Sequence, residues 1–226
     1  MNNNKKINSV LFDMDGVILN SMPFHVAAWK DAFREREMEV NEGLFYLYEG
    51  AMEPEVACRL FSKNGTKLTI RDFFEIHERQ KRIFLERYAH KVTPFEGALE
   101  LLKWLKETGV PVGLVTSSHG EILDAVLPGP LRDLFDHIVT GDTVRRRKPH
   151  PEPYLAGLRG LGARKGMGNI AVENAPAGIE SAKNAGLSCI AITTTLPRKH
   201  LKDAHKVVRD HHHLLKELKG GNWRHD

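Results

Sequence analysis

A chain of 226 residues, 41% of them hydrophobic, with 33 basic against 29 acidic side chains and a net charge of +4, has the composition of an ordinary globular protein. No run approaches the roughly 18 apolar residues of a membrane span, Met1-Asn2-Asn3-Asn4-Lys5-Lys6 lacks the apolar stretch of a secretory signal, and the two cysteines, Cys58 and Cys189, lie too far apart to suggest a disulfide framework. These features predict a cytoplasmic protein without membrane or nucleic-acid partners, with a monomer as the default expectation.

Six short apolar runs read as strands, at residues 7–12, 110–115, 137–139, 169–172, 189–192 and 206–208. Residues 98–108, 121–126, 152–161 and 175–185 repeat apolar side chains at three- and four-residue spacing, which predicts helices between them. This alternation predicts an α/β fold, a Rossmann-like three-layer core with a mostly parallel sheet covered on both faces. Residues 22–93 break the rhythm. Segments 24–36, 53–62 and 69–88 are helical in pattern and no strand stands out, so the block reads as an all-helical cap inserted into a core of residues 1–21 and 94–226. Pro23 and Pro94 stiffen the two junctions.

Two basic tracts admit bland readings. Arg145-Arg146-Arg147-Lys148 has no aromatic neighbours and runs into Pro149, so it reads as a solvated loop ending in one functional lysine. His211-His212-His213 precedes the amphipathic Leu214-Leu215-Lys216-Glu217-Leu218 and reads as a helix start, with no further ligands at metal spacing.

Four segments carry chemistry, each at the end of a predicted strand or loop. In Phe12-Asp13-Met14-Asp15-Gly16-Val17 two carboxylates stand two residues apart where a strand runs out, so both point into one crevice. Gly16 lets the chain turn away. In Val115-Thr116-Ser117-Ser118-His119 a hydroxyl cluster enters a helix, where backbone N–H groups can hold a phosphoryl group. In Lys148-Pro149-His150-Pro151-Glu152 a lysine between a loop and a proline-started helix can neutralise a carboxylate and a phosphate. In Val172-Glu173-Asn174-Ala175-Pro176 a strand ends in oxygen ligands suited to Mg²⁺.

In this order, the segments resemble the haloacid dehalogenase superfamily of phosphatases. The branch is the one with a helical cap after the first strand, the β-phosphoglucomutase-like group. The Asn20-Ser21 that follows the first motif, and His25 before Trp29, look like that group too. The resemblance implies a small phosphorylated substrate, Mg²⁺, and a phosphoryl group carried on Asp13. It makes Asp15 the general acid and then the base, with a pKa raised under the closed cap. It gives Thr116 the phosphoryl oxygens, with Ser117 or Ser118 nearby, and Lys148 the negative charge. The Mg²⁺ site it implies is Asp13, the main-chain carbonyl of Asp15, Glu173 and Asn174.

The chain departs from that pattern in three places. Asn174 stands where an acidic residue is usual. The cap loop Tyr48-Glu49-Gly50-Ala51-Met52-Glu53 holds no Arg or Lys, and His119 stands where sugar-phosphate mutases show a lysine. The Glu-Asn-Ala-Pro segment with a cap-loop Glu-Gly is similar to a subgroup that includes inorganic pyrophosphatases. That similarity makes Glu49 a candidate to reach into the site and help hold the metal, a surface carboxylate being the alternative. Arg79 or Lys81 would supply a cation to the substrate from the cap; helical register leaves the choice open. The expectation is a Mg²⁺-dependent phosphohydrolase of a small phosphate or pyrophosphate. The alternatives are a β-phosphoglucomutase and a catalytically weak regulatory or binding protein of the same fold.

Overall fold

The computed structural model describes residues 7–49, 54–164, 166 and 168–221. The buried strand β1 (Ser9–Phe12) is followed by the helices α1 (Met22–Arg34), α2 (Gly43–Leu47), α3 (Pro54–Lys63) and α4 (Ile70–Ile83). Then come α5 (Ala98–Glu107), β2 (Val112–Val115), α6 (Gly120–Val126), α7 (Gly129–Arg132) and β3 (His137–Val139). The chain closes with α8 (Glu152–Gly160), β4 (Asn169–Glu173), α9 (Pro176–Asn184), β5 (Ser188–Ile192), β6 (Lys206–Val208) and α10 (His211–Gly220). No helix among the described residues is long and apolar enough to cross a membrane.

The six strands form one parallel sheet in the order β3-β2-β1-β4-β5-β6. The order reverses beside β1, whose residues pair with Val112–Leu114 on one side and Asn169–Val172 on the other. Such a switch point opens a crevice at the carboxyl ends of the strands. Both faces of the sheet are covered, which is why the strands read as unbroken apolar runs. Val10 and Phe12 pack into the core that holds Leu101, Leu105 and Leu214, whereas Leu11 faces the opposite core with Tyr154, Leu158 and Ile179. That alternation places α5 and α10 on one face and α8 and α9 on the other.

The helical insert packs on its own aromatic cluster. The Trp29 ring stacks on Phe45 at 5.3 Å and on Phe73 at 6.0 Å, with Phe33 and Phe61 beside them. Its two connections to the sheet run side by side: Asn20 N–H donates to Thr93 O at 2.9 Å and Phe95 N–H to Ile18 O at 3.0 Å. The insert is thereby held above the strand ends where Asp13 lies.

Several boundaries differ from the sequence expectation. β2 starts at Val112 because Val110 N–H donates to Leu105 O, closing α5, and Pro111 has no N–H to give. β4 extends to Glu173, which pairs with Ala191. The helix expected over 69–88 starts from a Thr69–Asp72 capping box, ends as an α-helix at Ile83, and widens into a π-helical turn, Phe84–Tyr88. The histidine tract does begin a helix, with the Asp210 side chain capping His213 N–H. Gly50, Ala51, Met52 and Glu53 of the cap loop, and the leader Met1–Lys6, lie outside the described residues.

Candidate active site

Asp13 extends β1, its N–H donating to Val172 O at 3.0 Å, so its carboxyl stands at the top of the β1–β4 crevice. Lys148 meets it there. The buried ammonium donates to Asp13 Oδ1 at 2.6 Å, Glu173 Oε1 at 2.7 Å and Val115 O at 2.9 Å, which uses all three of its protons. Burial works against that charge, but Asp13 and Glu173 push the lysine upward and hold it protonated. Glu173 is fixed from below as well. The Tyr154 hydroxyl, on α8, donates to the same Oε1 at 2.6 Å, and Asn174 N–H donates to Oε2 at 3.2 Å. Gly178, in the first turn of α9, leaves room for this carboxylate; a Cβ there would collide with it.

Two residues on, Asp15 is caught by four donors. Ser21 Oγ at 2.6 Å and His25 Nε2 at 3.2 Å reach Oδ1; Ser118 Oγ at 2.7 Å and Thr116 Oγ1 at 3.3 Å reach Oδ2. Burial raises the pKa of this carboxyl, but His25, Ser21 and Ser118 outweigh it and bring the group down to about 2. The expectation of a raised pKa is therefore corrected: in this arrangement Asp15 is an ionised base. Thr116 holds Asp15 and accepts from Ser118 N–H at 3.0 Å, while Ser117 and Ser118 line the cavity above. The His25 ring is itself positioned by stacking on Phe84 of the π-helical turn, centroids 3.8 Å apart.

Gly16, at φ +79°, then turns the chain so closely past Asn174 that a Cβ would run into the Asn174 amide. Asn174 Nδ2 donates to Glu49 Oε2 at 2.8 Å and to Thr195 Oγ1 at 3.0 Å. The cap residue Glu49 thus turns inward, not to solvent. Burial and the charges of Asp13, Asp15 and Glu173 push its carboxyl well above the usual range. Burial, Glu173 and Asp15 likewise raise Asp13 to about 8, against the pull of Lys148.

This chemistry fits a divalent cation. Asn174 Oδ1 and Glu49 Oε1 are buried without a hydrogen-bond donor, and hard oxygen atoms of this kind suit Mg²⁺. The crowded carboxylates also lack cationic charge, since Lys148 is the one buried lysine among the described cavity residues. Glu49 adds an oxygen to the expected donors. Glu173 Oε1 is taken up by Lys148 and Tyr154, whereas Oε2 accepts only Asn174 N–H and keeps a lone pair toward the site, beside the buried Asn174 and Glu49 oxygens that lack a donor.

The cavity over these groups measures about 140 Å³ and is walled by Trp29, Phe45 and Ile122 as well as by the polar groups. Arg79 does not line it. Its guanidinium grips Glu35 at 2.6 and 2.7 Å on the outer face of the cap. Lys81, two residues on, does line the cavity, and ties the cap to α6 through Glu121 at 2.7 Å. The structure adds His77, and gives a place in the site to Tyr154, at the end of the Lys148–Tyr154 motif, and to Arg147 of the basic run, neither of which was expected to act there. A "Lys-Pro" loop followed by a proline-started helix with an aromatic two residues in was the available signal for Tyr154.

A parallel α/β core with two strand-end carboxylates, a buried lysine and a helical cap defines a cap-bearing hydrolase. The haloacid dehalogenase-like hydrolase family model matches residues 10–192, and the chain belongs to that family. It is 35% identical over 210 residues to the chloroplastic Protein SUPPRESSOR OF QUENCHING 1 of Arabidopsis thaliana, a match over 91% of the chain but only 20% of that much longer protein. It is 31% identical over 210 residues to the validoxylamine A 7'-phosphate phosphatase of Streptomyces hygroscopicus subsp. limoneus, covering 88% of the chain and 92% of the relative. To the β-phosphoglucomutase of Bacillus subtilis it is 28% identical over 222 residues, covering 95% of each.

Proposed function

We propose that this chain is a phosphohydrolase that transfers the phosphoryl group of a small substrate to Asp13 and then to water, with Mg²⁺ as cofactor. The observation that supports it most is the convergence of Asp13 and Asp15, from the end of β1, and Lys148, from a distant loop, on one cavity under a cap. Named phosphatases among the relatives support the same reading.

In this reading Asp13 attacks phosphorus and becomes an aspartyl phosphate, which divides one difficult displacement into two. Lys148 neutralises the carboxylate–phosphate repulsion, and Tyr154, through Glu173, keeps the lysine aimed. In the first half Asp15 gives up its Ser21, Ser118 and His25 contacts, takes a proton as the anionic substrate enters, and hands it to the leaving oxygen; the carboxylate so formed then takes a proton from the water that attacks the aspartyl phosphate and regenerates Asp13. Asp13, Asn174 Oδ1 and Glu49 Oε1 would hold Mg²⁺, which when bound supplies Lewis-acid polarisation of the phosphoryl oxygens.

Inorganic pyrophosphate is the finer reading of the substrate. It rests on Glu49, which Asn174 turns into the site. The mutase alternative draws on the Bacillus subtilis relative. Steady-state hydrolysis of an aryl phosphate with Mg²⁺, with free phosphate measured against added sugar bisphosphate, tests the proposal. Release of phosphate without an activator supports a hydrolase. Turnover only with the bisphosphate makes it a mutase, and no turnover at all sinks both.

A further inference from the structure

The cations of the cavity are nearly all neutralised. Lys148 meets Asp13 and Glu173, and Lys81 meets Glu78 and Glu121. Arg147 is the exception: it lines the cavity, half-buried, and forms no ion pair with a carboxylate among the described residues. Its contact is with a neutral partner. Arg147 Nη2 donates to His119 Nε2 at 2.6 Å, a bond in which the ring nitrogen must accept, because a guanidinium has no acceptor. The basic run of residues 145–148 therefore divides. Arg145 and Arg146 face solvent, Lys148 serves Asp13, and Arg147 brings an unneutralised charge to the cavity wall.

Place in the chain sets where that charge acts. Arg147 directly precedes Lys148, and His119 directly follows Ser118, which holds Asp15. The Arg147–His119 pair is thus one residue along the chain from Lys148 and from Ser118, and all four line the cavity. To the same cavity the cap contributes His77 and Lys81, and the Arg147 charge is felt at His77. A guanidinium held on one arm keeps donors free in a planar fork that matches carboxylate or phosphate oxygens.

Resting on the phosphohydrolase reading above, we infer that Arg147, oriented by His119, is the residue that selects a substrate whose leaving group is itself anionic, bearing a carboxylate or a second phosphate. The cap loop without Arg or Lys does not then exclude such a substrate, because its counter-charge comes from the core.

Glycerol 3-phosphate and 3-phosphoglycerate differ only by a CH₂OH against a carboxylate, and pyrophosphate carries the second phosphate. With Mg²⁺ present, the parent enzyme is expected to favour 3-phosphoglycerate or pyrophosphate over glycerol 3-phosphate by about tenfold or more in kcat/KM, chiefly through KM. Which of the two is favoured identifies the anion. Arg147→Met should collapse that preference, Arg147→Lys should restore part of it, and His119→Phe should weaken it by freeing the guanidinium. Arg145→Met, on the exposed face, should leave it intact. Thermal unfolding of each variant verifies its fold. A parent without the preference, or an Arg147→Met loss equal on all three substrates, overturns the inference and leaves the hydrolase standing. Absence of turnover on these substrates and on aryl phosphate overturns both.

Discussion

The Tyr154 hydroxyl and the Lys148 ammonium donate to the same oxygen, Glu173 Oε1, at 2.6 and 2.7 Å. Lys148 lies 5.3 Å from the centre of the Tyr154 ring. The buried tyrosine on α8 thereby fixes the glutamate that fixes the lysine. Tyr154→Phe removes the donor without opening a cavity. A lost buried hydrogen bond to a charged acceptor costs roughly 1–3 kcal/mol. Urea denaturation is expected to show a loss in that range, and kcat to fall about tenfold as Lys148 loosens. Unchanged stability and turnover would remove Tyr154 from the argument.

Asp13→Asn keeps the shape of the nucleophile and removes its attacking charge. Turnover should drop by about three orders of magnitude or more, while circular dichroism and thermal unfolding report an intact fold. Retention of more than about a few per cent of activity rules out covalent capture on Asp13.

Chelation is expected to abolish hydrolysis and added Mg²⁺ to restore it. Asn174→Ala deletes one of the two buried oxygens that lack a donor, and frees Glu49 as well. It should raise the Mg²⁺ concentration for half-maximal activity by about tenfold or more. Titration calorimetry with Mg²⁺ alone gives the same comparison without turnover. Full activity in excess chelator defeats this site.

Glu49 faces the cavity beside Asp13 and Asp15, and a second phosphate there meets the like charge of the ionised Asp15, about 4 kcal/mol at about 4 Å and an effective dielectric near 20, unless a cation intervenes. Pyrophosphate binds Mg²⁺ well, and should be hydrolysed faster than glucose 6-phosphate or β-glucose 1-phosphate. Glu49→Ala should damage pyrophosphate hydrolysis more than aryl phosphate hydrolysis. Equal losses on the two substrates, or a preference for a hexose phosphate, end the pyrophosphate reading.

His77 stacks on Trp29 and Phe73, and burial together with the nearby Arg147 charge lowers its pKa to about 4. An unfolded histidine titrates near 6.5, so between pH 4 and 6.5 the unfolded chain binds the extra proton. Stability from His77 is therefore complete above pH 6.5 and is lost as pH falls through that window, by up to about 3 kcal/mol. His77→Phe keeps the stacking and should flatten the slope of unfolding free energy against pH there. An unchanged slope assigns the acid sensitivity to other groups.

Much of this molecule is legible in its sequence because the signals are local. Buried parallel strands announce themselves as unbroken apolar runs, and the spacing of Asp13 and Asp15 on one strand end decides that both point the same way. Lys148, Glu173 and Asn174 could be placed at strand or loop ends by the same means. Other features depend on contacts between distant segments. Helical period gave Arg79 and Lys81 equal standing; only packing of α4 sent Arg79 to Glu35 and Lys81 to the cavity. Glu49 turns inward because Asn174, 125 residues away in the chain, donates to it. Glu173 also ties Lys148 to Tyr154, a contact that residue type alone does not show. The pKa of Asp15 fell where a rise was expected because Ser21, His25, Thr116 and Ser118 converge on one carboxylate. The sequence by itself determined the strands, the helices and the kinds of group at the strand ends, since these follow from periodicity and backbone geometry. Only the tertiary structure decided which charges are neutralised and which, like Arg147, are left to meet a substrate, because that balance is set by neighbours the chain brings together from far apart.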